Sequence, residues 1–423
     1  MQENQLKILV LTPIYPGEGV LKTETSVVHY FAREWVKIGA DVRVVHYPVN
    51  FPSFINIAAK PFRSLIEAKE GGEIRTWNLD EREFVVDGVK VKRIPLVKYL
   101  PHTRYGKKQI SSALYKTINY LEQEDFEPDV ITSHWVNPQY EIMHYLKSHY
   151  GCKTCYIAHD QGADLLTIYK HEAADYIKET DVIGYRSAPI KRLFESHFHC
   201  QDKLHFMCYS GIPSKYVEKV ERKIDNVSTI IHVAVLLKRK YPAVIIPAVY
   251  NAFGDDDFKI TYIGTGKEEE TIHVVSKRLG VEDKIQMLGR VTREQVVQQM
   301  DNHSVFIMVS RDETFGLVYL EAMARGCITI ASRDEGFDGI IKDGENGFLC
   351  KAGDEEDLAK TLIKLKNMSV NEWRQISQAA IETANSLTDK KVAVVYMTNL
   401  KKACLGGATL INSASADYYR RAA

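Results

Sequence analysis

No apolar run in this 423-residue chain is long enough to span a bilayer. The first such run, residues 8–11, falls far short of the roughly 20 residues a membrane helix needs, and is too short for the core of a secretory signal. Net charge is missing too. With 55 basic and 55 acidic residues the formal charge is zero, so nothing global recruits nucleic acid or a strongly acidic partner. Cysteine is sparse and odd in number, seven scattered residues. Cys152 and Cys155 form a CxxC with no second pair to complete a zinc site, and reduced thiols fit better than a disulfide framework. No repeat or low-complexity tract stands out. These absences predict a cytoplasmic protein, in which the sequons at Asn226, Asn302 and Asn367 are chance matches.

What is present is ordinary globular material, 45% hydrophobic and 26% charged, at a length that suits two domains with sizeable cores. Residues 7–12 form an apolar run, residues 23–38 a helical pattern closed by Gly39, and residues 41–46 another apolar run. Strand, helix and strand in that order predict a βαβ unit and a parallel sheet covered on both faces. Strands are expected again at 89–94, 129–132, 154–158 and 181–185, with helices at 108–121 and 140–148. Residues 214–228 read as a polar interdomain linker. A second βα series follows, with strands at 229–236, 259–263, 285–288, 305–309 and 328–331. Two successive doubly wound lobes result, and in such sheets ligands sit beyond the carboxyl ends of the strands. A last helix is predicted over 389–405, and the small polar tail from 406 reads as poorly ordered.

Chemistry concentrates in Val305-Phe-Ile-Met-Val-Ser-Arg-Asp-Glu313-Thr-Phe-Gly316-Leu-Val-Tyr-Leu-Glu321-Ala-Met-Ala-Arg-Gly326. A strand is predicted to end near Ser310, a loop to hold Glu313, and a helix to start around Gly316. The N–H groups of Thr314, Phe315, Gly316 and Leu317 then lack helical acceptors and point beyond the strand end, where the helix dipole also favours an anion. A diphosphate can be held there without metal. Glu313 lies just before the helix and Glu321 about one and a half turns into it, so the two can bracket a ligand and accept from sugar hydroxyls. The alternative is that Glu313 caps the helix and Glu321 is a solvated face residue.

This stretch resembles the Glu-x7-Glu signature of family 4 of the retaining glycosyltransferases, which have the GT-B fold. Glu313, Phe315-Gly316, Glu321 and Ala322-Met-Ala-x-Gly326 carry the resemblance, and Asp343-Gly-Glu-Asn-Gly347-Phe-Leu extends it. It is strongest over 262–358 and weak before Thr154. The resemblance implies an α/β chain of two Rossmann-like lobes facing a deep cleft. Residues 1–213 would form the acceptor-binding lobe and 214–388 the nucleotide-sugar-binding lobe, with a C-terminal helix and tail, 389–423, crossing back onto the first. It implies Glu313 on the transferred sugar and Glu321 on the ribose. Lys238-Arg239-Lys240 is similar to the place where the family sets an arginine and a lysine against the donor diphosphate. Lys240 takes the lysine position, but Val235 stands at the arginine position and Tyr241 at a usual glycine, so Lys240 is expected to act with help from Arg239 or another cation. Gly264 and Gly266, in Ile263-Gly-Thr-Gly266, resemble the loop whose bare backbone approaches the nucleotide.

In the first lobe, His159 follows the strand 154–158. A histidine there points into the cleft and can bond the donor sugar or relay a proton near neutral pH, and the family has a histidine in this place. Asp164 is its neighbour. Gly17 and Gly19 replace the family's glycine pair on the acceptor side and are expected to admit acceptor and phosphate. His134 and Trp135 face the predicted cleft, or else pack at the lobe surface. Asp255-Asp-Asp257 precedes its strand and is expected opposite the cleft, as a solvated turn.

The basic stretch 90–116 holds Lys90, Lys92, Arg93, Lys98, Arg104, Lys107, Lys108 and Lys116 among tyrosines, with no acid. It suits peripheral contact with anionic headgroups at the inner face of a membrane, at about 1 kcal/mol per basic residue, and equally a solvated face. The resemblance implies a retaining hexosyltransferase, without cofactor or metal, that moves a sugar from a nucleoside diphosphate donor to a glycan or lipid-linked acceptor. Surface polysaccharide biosynthesis is the expected pathway, and no nucleic acid is expected as partner. His159, Glu313 and Lys240 are the expected catalytic residues. Two rivals share the fold: another enzyme, such as a nucleotide-sugar epimerase or a phosphorylase, and a catalytically silent glycan-binding or regulatory subunit.

Overall fold

The structure, a computed structural model, describes residues 5–21, 25–63, 75–99, 103–218, 220 and 222–405. The tail from 406 and residues 22–24 of the first loop lie outside the described residues. Among the described residues ten strands belong to the first lobe: β1 (Lys7–Thr12), β2 (Asp41–His46), β3 (Val49–Asn50), β4 (Arg82–Val86), β5 (Val89–Arg93), β6 (Leu96–Val97), β7 (Val130–His134), β8 (Lys153–Ala158), β9 (Val182–Tyr185) and β10 (Leu204–Met207). Eight of them form one sheet in the order β10-β9-β8-β7-β1-β2-β5-β4, and β3 pairs with β6 apart from it. Pairing is parallel throughout the large sheet except between β4 and β5. Ile8 to Leu11 are fully buried, as expected of a strand covered on both faces.

The helix Val27–Lys37 buries Val27, Val28, Phe31, Ala32 and Trp35, one stripe at helical spacing. Gly39, at φ +94°, takes the left-handed conformation that ends it. The β4–β5 hairpin, absent from the sequence expectation, turns on Asp87 and Gly88, both at positive φ as a tight two-residue turn requires.

The second lobe holds β11 (Thr229–Val233), β12 (Lys259–Ile263), β13 (Ile285–Met287), β14 (Val305–Ile307), β15 (Ile328–Ser332) and β16 (Phe348–Cys350). They are ordered β13-β12-β11-β14-β15-β16 and are all parallel. Strand order reverses about β1 and β7 in the first sheet and about β11 and β14 in the second, which opens a crevice at each place. The segment expected to be a loose linker is tied down: Tyr216, Ile224 and Val227 are buried in the second lobe's cores.

The helix Asp389–Cys404 returns to the first lobe. Its Tyr396 meets Trp35 edge-on with ring centroids 4.8 Å apart, and the Trp35 indole N–H donates to Ala393 O at 2.9 Å. The two passages between lobes run side by side, with Ile212 N–H donating to Leu387 O at 3.1 Å and Asp389 N–H to Ile212 O at 2.9 Å. A Cβ on Gly211 would lie 2.5 Å from the Asp389 nitrogen, so the crossing needs glycine there.

The basic stretch is largely neutralised by acids far away in sequence. Lys90 pairs with Glu124, Lys92 with Glu81 and Glu83, Lys116 with Glu81, and Arg104 with Glu141 and Glu172. Arg93 is buried near Asp80, and Lys98 lies over the Tyr105 ring. These pairings set acids beside much of the stretch. Among the described residues no helix is long and apolar enough to cross a membrane.

Candidate active site between the lobes

The crevice at β11 and β14 is built by two loops. Lys240 lies in the loop after β11, and Glu313 in the loop after β14 that leads into the helix Leu317–Ala324. Lys240 and Glu313 form a close ion pair. Burial pushes the Lys240 ammonium below its usual range, against the pull of Glu313. Glu313 therefore does not cap the helix: the N-cap is Gly316, in the left-handed region at φ +84° and with no side-chain cap.

The Glu313 N–H is taken by the Glu335 carboxylate at 2.9 Å. Beyond it, the N–H groups of Thr314 to Leu317 meet no protein acceptor among the described residues, and these residues line a cavity of about 450 Å³ between the lobes. The opposite wall is the first lobe: Trp135, His159, Asp160, Asp164, Arg186 and Ser210. His159 and the start of the Glu313 helix are thus brought together as expected, although 154 residues separate them, 313 less 159.

His159 is stacked on Trp135, ring centroids 4.0 Å apart and 13° between planes. Its Nε2 lies 3.1 Å from His134 Nδ1. Burial, then His134 and Arg186, holds the His159 pKa well below its usual value. That shift disfavours the charged ring and suits a hydrogen-bonding role. His134 does not face the cleft. It is fully buried behind His159, with Nε2 3.3 Å from the Tyr396 hydroxyl of the crossing helix.

Other expected residues sit elsewhere. Glu321 is 8% exposed, which excludes a solvated face, and it does not line the cavity. Arg293 Nε donates to its carboxylate at 2.8 Å. A Cβ on Gly264 would fall 1.8 Å from Ala234 O and one on Gly266 2.3 Å from Leu236 O, so these glycines serve close packing on the loop after β11. Arg239 donates to the carbonyls of Arg311 and Asp312 at 3.4 and 3.3 Å, bracing the Glu313 loop from outside. Gly17 and Gly19 also depart from expectation. A Cβ on Gly17 would lie 2.8 Å from the Phe84 ring and one on Gly19 2.9 Å from Leu79, and neither glycine lines the cavity.

Sequence reasoning missed Arg186, Glu335, Arg293 and Gly336. A Cβ on Gly336 would lie 2.5 Å from Glu313 O and 2.6 Å from Phe315 N, so this glycine seats the helix-entry loop. Only Arg186 carried a local signal, as a charged residue directly after an apolar strand.

Two Rossmann-like lobes, a cavity between their strand-end loops and a last helix returned to the first lobe define the GT-B class of glycosyltransferase fold. Sucrose-phosphate synthase from Thermosynechococcus elongatus superposes with a TM-score of 0.65 over 96% of this chain and 100% of that one, at 14% identity. HepE of Anabaena, solved in complex with UDP, gives 0.65 over 94% and 100%, at 15% identity. Residues 216–383 match the family model Glycosyl transferases group 1. N-acetyl-alpha-D-glucosaminyl L-malate synthase of Bacillus anthracis is 32% identical over 141 residues, 33% of this chain and 36% of that protein. Phosphatidyl-myo-inositol mannosyltransferase of Mycobacterium leprae is 32% identical over 136 residues, 32% and 35% of the two chains. The aligned stretch spans about a third of each of these relatives.

Proposed function

We propose that this protein transfers a sugar from a nucleoside diphosphate donor to a glycan or lipid-linked acceptor, with retention of configuration and without metal. The observation that carries the reading is the cavity in which His159 faces the Glu313–Leu317 helix entry and its unpartnered N–H groups. A diphosphate seated there would draw Lys240 away from Glu313 and free that carboxylate for the sugar hydroxyls. Charge growing on the leaving phosphate would be met by preorganised N–H groups and by Lys240, in a site that closure of the lobes dries. His159, neutral, would donate or accept a hydrogen bond at the sugar. The first lobe would take the acceptor, and a place in surface polysaccharide assembly is the pathway we favour. A silent glycan-binding or regulatory subunit is favoured by one observation, Val235 in place of the family arginine.

Incubation with labelled UDP-, GDP- and ADP-sugars separates the two readings. Donor consumption is expected in the native protein and a loss of at least a hundredfold in Glu313→Ala and Lys240→Ala, on the order of removing a transition-state charge partner. Consumption indifferent to both substitutions would sink the assignment.

A further inference from the structure

We propose that Arg186 is the first lobe's ligand for the sugar-proximal phosphate of the donor, supplying from the opposite wall the cation that the second lobe lacks at Val235. The inference rests on the reading above and adds a residue that neither the motif order nor the group 1 match assigns.

Arg186 follows β9 directly, at the carboxyl end of the sheet, and lines the cavity. It is 3% exposed. One guanidinium nitrogen donates to Cys208 O at 2.5 Å and another to the Ser210 hydroxyl, while Nε meets no protein partner. No ion pair joins Arg186 to a carboxylate among the described residues. Its guanidinium carbon stands 5.5 Å from the centre of the Phe315 ring, at the helix entry itself.

A buried cation held only by neutral oxygens is costly, because desolvation of the charge is not repaid by a counter-ion. The fork of an arginine matches the oxygens of a phosphate, and its charge persists where an ammonium would surrender its proton. The same space is reached from the other side by the free N–H groups of Thr314 to Leu317. An anion bound between them repays both walls at once and bridges the lobes. The distal phosphate of a nucleoside diphosphate is the group placed there when the nucleotide sits on the second lobe. A phosphate carried by the acceptor has the same chemistry, so the test separates the two sources.

The full chain is titrated calorimetrically with UDP, GDP and ADP and with the matching monophosphates, native and as Arg186→Gln, Arg186→Lys and Ser210→Asp. The last variant places an internal carboxylate against the guanidinium and decides the matter if Arg186→Gln does not fold, as judged by its thermal melt. We expect diphosphate affinity to drop at least tenfold in Arg186→Gln and Ser210→Asp, less in Arg186→Lys, with monophosphate affinity unchanged. Folded variants that bind the diphosphate like the native chain overturn the assignment and move Arg186 to the acceptor. Equal losses for mono- and diphosphate overturn it in favour of a purely architectural role. A native chain that binds none of the three diphosphates refutes the donor reading itself, a result distinct from either.

Discussion

His232 and His46 show most clearly how burial sets chemistry at single residues. Both are fully buried, and desolvation pushes His232 down to about 4 and His46 to about 3. His232 Nδ1 sits 2.8 Å from Ile307 O, which it meets as a donor. Both folded-state values lie below the unfolded one, so the unfolded chain binds the extra protons. Stability therefore falls as pH drops below about 6.5, and the His232 share levels off below about 4. For His232 the loss is ~3 kcal/mol by pH 4, at about 1.4 kcal/mol per unit. Urea midpoints at pH 7.5 and 4.5 check this: His232→Asn should be less stable at the higher pH yet show a shallower decline, and parallel declines would refute it. Arg186, Glu335 and Arg293 belong to this scale as well. Each acts through a partner distant in the chain, as Arg293 does on Glu321, and a sequence shows charges without their pairings.

Two elements decide the shape of the site, the helix entry at Glu313–Leu317 and the returning helix Asp389–Cys404. Gly336→Ala would drive a methyl into the Glu313 carbonyl and the Phe315 nitrogen. Overpacking of this kind costs about 1–3 kcal/mol, and we expect it to appear as weakened nucleotide binding with a small shift in the melt. An unchanged affinity would show that the entry loop has room to move. Trp35→Phe removes the bond to Ala393 O and should cost about 1 kcal/mol, whereas Tyr396→Ala opens a cavity at the seam and should cost about 3–5 kcal/mol. Chemical denaturation measures both, and equal small losses would mean that the returning helix is peripheral to the core.

Most elements were legible, and the exceptions have physical causes. β1, β2 and β12 are short apolar runs between turn residues, which is what a strand buried on both faces demands. β4 alternates between half-buried and exposed, so it left no apolar run, and its only mark was Asp87-Gly88. β10 and β16 are short edge strands fixed by pairing with β9 and β15. At the site, Glu313 and His159 were legible because each follows a strand at its carboxyl end. Gly17 and Gly19 misled, because a glycine shows that something approaches closely without showing what.

At the scale of the whole molecule, the two chain passages between the lobes meet where Ile212 pairs with Thr388. Gly211→Val would wedge the two passages apart, since even one added carbon meets the Asp389 backbone. Small-angle scattering should then report a changed spread of the lobes, with nucleotide binding weakened and most of each lobe's core intact. A profile and an affinity equal to the native ones would show that this contact does not set the cleft.

The returning helix also dictates an order of events during synthesis. Its Val392, Ala393, Tyr396 and Leu400 complete the core beneath β1 and β8, yet the ribosome makes them only after the entire second lobe. The half of the protein that emerges first is therefore the half that finishes last, with an open seam awaiting its final helix while its neighbour is already closed.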